Sequence, residues 1–324
     1  MAGASPMPLG PPTTPAPAAP ATSGATPAGA PYGPAVAQAP AQASSAVGAG
    51  AAVPVSAARA ERDAAVAAST AGALRRRNQG NDPAQMARRI AAALNVGNFD
   101  FGFYWVTALT AEGTMLVANS YGIGYIPANV ALPEGVRMVS ADESIPAQMR
   151  AAWATYPILA LQGWAQHHNE RLRGVIATED QFNGFDPGAA KIVLQPEDIP
   201  EDGTMRGRTR LEVIAPQAAA KLAATRDDGL AALLPPAPTA IERPEGDWAM
   251  LWFEVSKPLM SSSTSRAEAH LEAFRVYADQ AMALALCTAQ TEPETPAQRA
   301  AIADWVYWQH QSSLITEALG SAAS

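Results

Sequence analysis

The chain has 324 residues, 30 of them acidic against 22 basic, for a formal net charge of −8. That balance excludes nucleic acid as the expected partner, because such binding draws its affinity from Lys and Arg on phosphates, and it argues equally against an anionic membrane surface. A single cysteine, Cys287, permits neither an intrachain disulfide nor a multi-cysteine zinc site, which fits a reducing, cytoplasmic setting with no cofactor.

Residues 1–56 are dominated by Pro, Ala, Gly, Ser and Thr, with Tyr32 as their only aromatic and no charged side chain. Prolines remove backbone donors, and small side chains bury too little surface to offset ordering entropy, so a disordered Pro/Ala-rich arm acting as a spacer is expected. Met1–Gly10 has neither the basic nor the apolar region of a secretory signal peptide. Low complexity directly after Met1 is also what a piece of a longer protein would show.

N-terminal helices are expected over 57–96. The first spans about 57–77 and ends in Arg75–Arg76–Arg77. The second is opened by Asp82–Pro83–Ala84–Gln85, with Asp at the N-cap and Pro at the first helical position, and stops near Gly97. Then the period changes. Phe101, Phe103, Trp105 and Thr107 alternate with Gly102, Tyr104, Val106 and Ala108, which is strand spacing, and Ala111–Glu112–Gly113 turns the chain into a second strand, Thr114–Ser120. Tyr121–Ile126 is expected to continue that strand past a glycine bend, and Val136–Ser140 to be a third.

A helix follows over 146–168, kinked or split at Pro157. Gly174–Thr178 and Lys191–Gln195 are further strands, and Leu211–Ile214 is either a strand or the start of a helix running through Gln217–Ala224. Together 97–234 form the expected α+β domain. Residues 235–246 are a proline-punctuated linker, and 247–324 a C-terminal helical region packed on the body. Trp248–Val255 reads as helix or strand. Ser265–Arg266–Ala267–Glu268 and Thr295–Pro296–Ala297–Gln298 each look like a capping box, launching helices to about Ala289 and Leu319 that form an antiparallel hairpin. The fold class is therefore α+β: a mainly antiparallel sheet flanked by helices, with a C-terminal helical hairpin.

Chemistry-bearing patterns are sparse. His167–His168 are neighbours about 100° apart on a helix, so they chelate poorly and suit a helix C-terminus. Ala118–Asn119–Ser120–Tyr121–Gly122 has the outline of a nucleophile elbow, but strand-like sequence follows Ser120 where a helix is required. A deaminase-type zinc site needs His-x-Glu and Pro-Cys-x-x-Cys, and both are missing. Paired acids such as Glu201–Asp202 read as solvated turns. A hydrolase or transferase using His167, His168 or Ser120 is thus the alternative reading, alongside a self-associating structural module. The preferred reading is non-catalytic. Aromatic residues dominate binding hot spots, and Trp305, Trp308, Phe274 and Tyr104 are the candidate partner-binding anchors, near the 265–319 hairpin or on the 101–126 hairpin.

The run Arg171–Leu172–Arg173–Gly174–Val175–Ile176–Ala177–Thr178–Glu179–Asp180–Gln181–Phe182 and the later Trp305–Val306–Tyr307–Trp308–Gln309–His310 resemble the C-terminal region of the EspK family. These are mycobacterial proteins associated with ESX-1 type VII secretion, and the Ala/Pro-rich arm before an α+β body is similar too. The resemblance implies a cytosolic chaperone-like factor, linked to virulence and without catalytic residues. It would bind a secreted helical substrate, EspB-like, and work with the ATPase of the secretion machine. No Trp-x-Gly and no Tyr-x-x-x-Asp/Glu occurs in the chain, which favours an accessory factor over an exported substrate.

Overall fold

The computed structural model describes residues 82–97, 101–182, 184–292 and 294–322; the arm expected at 1–56 and the helix expected at 57–77 lie outside them. Asp82 caps the first described helix, α1 (Pro83–Leu94), by accepting from the Ala84 N–H at 3.1 Å. Five strands then build one sheet in the order β3-β2-β1-β4-β5, comprising β1 (Trp105–Thr110), β2 (Met115–Asn119), β3 (Val136–Met138), β4 (Leu172–Ala177) and β5 (Ala190–Val193). The central strand β1 runs antiparallel to β2 and β4, with Thr107 opposite both Val117 and Ile176. The two edges, β3 on β2 and β5 on β4, pair in parallel, so the sheet is mixed within the expected α+β class.

Period-2 alternation divides the sheet into two faces. Val106, Ala108, Leu116, Ala118, Val175 and Ala177 pack against Ile158, Leu161 and Trp164 of α3 (Pro157–His167). On the other side, Leu109 and Ile176 meet Ala87, Ala91 and Ala92 of α1. Trp105 and Val117, also on that side, enter the largest cluster with the C-terminal helices. Every residue of β1 is buried, as expected for a strand covered on both faces.

Proline 157 splits the predicted 146–168 helix, giving α2 (Ala147–Ala152) and then α3 with Pro157 at its first position. A one-turn helix, α4 (Glu179–Phe182), follows β4. The ambiguous Leu211–Ile214 is helical, as α5 (Arg210–Ile214), because Thr209 and Glu212 close a reciprocal capping box; α6 (Pro216–Ala224) restarts at a proline. Residues 235–247 carry no helix or strand. Trp248–Val255 is also helical, as α7 (Trp248–Ser256), with Asp247 accepting from the Met250 N–H at 3.0 Å. Helices α8 (Arg266–Thr291) and α9 (Thr295–Ala322) form the hairpin. The first of its sequence signals does not work as a box, since Ser265 makes no side-chain cap and pairs with the Ser263 hydroxyl. At the second, the Gln298 amide donates back to Ala289 O at 3.0 Å, closing the end of α8.

One strand expectation fails. Residues 121–126 are a chain of turns, with Gly122 and Gly124 at positive φ and Ile123 at φ 40°. The cause is Asn119, whose Oδ1 accepts from the Tyr121 and Gly122 N–H groups and whose amide donates to Tyr125 O at 2.7 Å. A β-branched residue in the left-handed region is strained and persists only where its surroundings hold it. Those surroundings come from α9: Gln311 donates to Ile123 O at 2.7 Å, and the Tyr307 hydroxyl accepts from Ile126 N–H at 2.9 Å and donates to Ile126 O at 3.2 Å.

Candidate partner-binding surface

The turns after β2 place Tyr121 and Tyr125 beside Phe103, with ring centroids 5.0–5.8 Å apart. The C-terminal helices supply the rest of an aromatic cluster. Trp252 lies 5.3 Å from Tyr121 and 4.7 Å from Tyr277, Phe274 5.4 Å from Tyr125, and Trp308 5.6 Å from Tyr277. Such pairs contribute about 0.5–1.5 kcal/mol each beyond their area burial, so ring packing helps hold α7 against α8 and the turns after β2. His270 of α8 is fully buried within it. Its Nδ1 is 2.8 Å from Val255 O at the end of α7, and its Nε2 is 2.9 Å from Tyr121 O.

Helix α7 reads Trp-Ala-Met-Leu-Trp-Phe-Glu-Val-Ser, with Glu254 its only charged residue. A helix apolar on every side is expected in a core, yet α7 lies at the surface. Trp248, Trp252 and Val255 face inward, while Met250 is 54% exposed and Phe253 46%. Met260, in the 3-10 turn that follows, is 53% exposed, and Phe101 65%. The two segments run close by, since a Cβ on Gly102 would sit 3.1 Å from Leu259 Cβ. The Tyr121 hydroxyl donates to Phe101 O at 3.4 Å, tying this segment to the ring cluster.

The four anchors named from sequence are not brought together. Phe274 has no exposed surface and Trp308 is buried against Tyr125, Tyr277 and Tyr307, so neither is a contact residue in this fold: the same aromatic character that marks hot spots fills the core here. Tyr104 is half-buried in the α3-side cluster, where burial pushes its phenol up against the opposing charge of Arg266. Trp305 is half-buried on α9. Sequence reasoning missed Met250, Phe253, Met260 and Phe101, although the near absence of charge across 248–256 was a readable sign.

Among the described residues, the candidate catalytic side chains His167, His168 and Ser120 are not hydrogen-bonded to one another. Ser120 is buried, its hydroxyl donating to Gly102 O at 2.6 Å and accepting from the Tyr104 N–H. His168 reaches a carboxylate, its Nε2 lying 2.8 Å from Asp142 Oδ2, but that oxygen also takes the Trp164 indole N–H at 2.8 Å, and Ser144 occupies Oδ1. Burial works against ionisation of Asp142, and the hydrogen bonds from Ser144, His168 and Trp164 outweigh it, holding the carboxyl below its ordinary range. His167 is exposed, and among the described residues no hydroxyl or thiol is bonded to either ring. Nor do three or more His, Cys, Asp or Glu side chains gather there into a metal-binding group. A cleft of about 560 Å³ opens between the end of α1 and the segments 127–131 and 201–205, with Leu94, Phe103 and Met205 inside and Glu201 and Asp202 on its rim.

Residues 94–320 match the model of the EspK C-terminal domain, a span covering the sheet, α7 and both hairpin helices. The chain belongs to the EspK C-terminal domain family. It is 50% identical over 260 residues, 79% of its length, to the ESX-1 secretion-associated protein EspK of Mycobacterium tuberculosis (strain CDC 1551 / Oshkosh). It is 51% identical over 250 residues, 76% of its length, to an uncharacterized protein of Mycolicibacterium smegmatis (strain MKD8). These alignments cover 36% and 34% of the two relatives, so the chain spans about a third of their length. Among the described residues no helix is long and apolar enough to cross a membrane.

Proposed function

We propose that this chain is the partner-binding end of a non-catalytic adaptor of ESX-1 type VII secretion. It works in the cytoplasm as a chaperone, holding a secreted, EspB-like helical substrate and delivering it to the machine and its ATPase. The observation that carries the reading is α7, a surface helix without a polar face, whose Met250 and Phe253 lie one turn apart, with Met260 and Phe101 in the adjoining turns. An i, i+3 apolar pair on a rigid, aromatic-backed helix is suited to the apolar stripe of a partner helix. The name of the M. tuberculosis relative supports the secretion context, and the occupied oxygens of Asp142 and the backbone-bound hydroxyl of Ser120 support a binding role over hydrolysis.

Calorimetric titration of the chain with an EspB-like secreted substrate tests this directly. Met250→Glu and Phe253→Glu should each weaken binding at least tenfold while the chain stays folded by circular dichroism, because about half of each residue's surface lies open to solvent. Trp305→Ala and Tyr104→Ala measure how far the contact extends beyond α7. Full affinity in the Met250→Glu/Phe253→Glu double variant removes α7 from the contact, and the lack of any complex with the substrate overturns the adaptor reading.

A further inference from the structure

The cleft between the end of α1 and the segments 127–131 and 201–205 is lined by none of the exposed residues of the α7 surface. Its volume of about 560 Å³ falls within the range of ligand pockets, roughly 300–1,000 Å³. Leu94 and Phe103, both buried, form its floor, and Val96, Val130 and Met205 are half-buried apolar walls. The floor is firm, because Phe103 also packs against Trp105, Tyr121 and Tyr125. One wall is pressed onto the last turn of α1: a Cβ on Gly203 would run into Ala93 O and lie 2.8 Å from Val96 Cβ.

The rim is negative. Glu201 and Asp202 are exposed there, and no Lys, Arg or His stands among the described lining residues. Cations close in sequence do not compensate them. Arg88 pairs with Asp198 at 2.6 Å, Arg208 donates to Val136 O with its Nε 3.7 Å from Glu134, and Arg206 is exposed outside the lining. Asp202 Oδ1 accepts only from the Thr204 N–H, at 2.8 Å. The C-terminal end of α1, a helix of 12 residues, brings its negative dipole end to the same cleft beside Ala93 and Leu94.

We propose that this cleft is a second docking site, taking a short basic and apolar stretch of a partner protein. A large apolar side chain of that stretch fills the floor at Leu94 and Phe103, and a neighbouring Arg or Lys meets Glu201 and Asp202. The charge pattern selects this occupant. An acidic segment would face two carboxylates and a helix C-terminus with no cation to offset them, and like charges across an interface reject a partner. The chain's net charge of −8 steers cationic segments toward it in the same sense. The site stands apart from the α7 reading, although both lean on one ring cluster: Phe103 floors the cleft, and Tyr121, 5.0 Å from it, packs on Trp252 of α7.

Fluorescence anisotropy tests the assignment, using the whole chain and a fluorescein-labelled peptide that bears Arg, Leu, Lys and Phe in a Gly/Ser background. Control peptides replace the cations by Glu or the apolar residues by Ser, and each should bind weaker by about tenfold or more. Glu201→Lys/Asp202→Lys should weaken the basic peptide by about tenfold or more, and the neutral Glu201→Gln/Asp202→Asn should weaken it less, with a loss that shrinks in high salt. Phe253→Glu should leave the peptide affinity unaltered, which separates the cleft from the α7 surface; a loss there would move the peptide to α7. That result overturns the proposal, as does a wild-type chain that binds no peptide, equal binding of the Ser control, or undiminished binding by both rim variants. Tighter peptide binding in Arg75→Ser/Arg76→Ser/Arg77→Ser also overturns it, because the chain's own arginines would then be the occupant.

Discussion

Tyr307→Phe isolates two of the three hydrogen bonds that fasten α9 to the turns after β2. The ring is fully buried, its hydroxyl is both acceptor and donor to Ile126, and its phenol is raised well above the ordinary value, chiefly by burial. Phenylalanine keeps the ring contact with Trp308 at 5.1 Å and the Arg210 guanidinium above the ring at 4.3 Å, so little besides the hydroxyl is lost. Ile126 is itself buried, so its N–H and C=O are left without a partner. One orphaned buried group costs about 1–3 kcal/mol, and a carbonyl with a second lone pair costs less than an amide, so a loss of about 2–4 kcal/mol is expected. Equilibrium urea unfolding followed by tryptophan fluorescence measures it. Gln311→Leu is the internal comparison, because it frees Ile123 O but also removes a buried, unpartnered Oε1, and should cost less. A Tyr307→Phe loss under about 0.5 kcal/mol would refute the claim that these bonds hold the strained segment.

Asp142→Asn should destabilise by about 1–3 kcal/mol, since the carboxylate gathers Trp164, Ser144 and His168. Its folded-state value lies below the ordinary one, so the wild-type advantage is present above about pH 4 and disappears as pH falls through the folded value; comparing the acid limbs of thermal melts for the two proteins checks the sign. Gly122→Ala should cost about 3 kcal/mol or more, or abolish folding in an expression and circular-dichroism assay, because a Cβ there meets Ala154 O and lies 2.7 Å from Ala154 Cα at a φ of 66°. Asp82→Ala should lower stability by about 1 kcal/mol in urea titrations, through loss of the cap on α1.

Local signals with a mechanism were legible in the sequence. Asp82–Pro83 started a helix, Pro157 divided one, and the alternation around Trp105 and Val106 sorted the faces of β1. Gly113, at φ 90°, closed the first hairpin as its spacing predicted. Misreadings arose where a side-chain bond overrode local preference, whether from close by or far off. The Ser265 hydroxyl turns to Ser263 two residues away and leaves the cap unmade, Asn119 folds the following residues into turns, and nothing near Ile123 shows that Gln311 will donate to its carbonyl. For the same reason Phe274 and Trp308 looked like surface anchors: residue type reports a capacity for contact, and only the packing of α7, α8 and α9 decides whether the contact is internal. Met250 and Phe253 escaped notice because a short apolar run does not reveal which of its sides faces water.

The bonds from Tyr307 and Gln311 to the turns after β2 join residues separated by 181 and 188 positions. During synthesis, the strained path through Ile123 therefore gains its fastening only when α9 is made. Until then β1 and β2 can pair, but the segment leading out of them lacks the contacts that offset its backbone strain, and the rings of Phe103, Tyr121 and Tyr125 lack Phe274 and Trp308. The centre of this fold is thus encoded early and completed late, so stop codons or cleavages before residue 307 should yield an aggregation-prone chain with its tyrosines uncovered, and not a smaller stable domain.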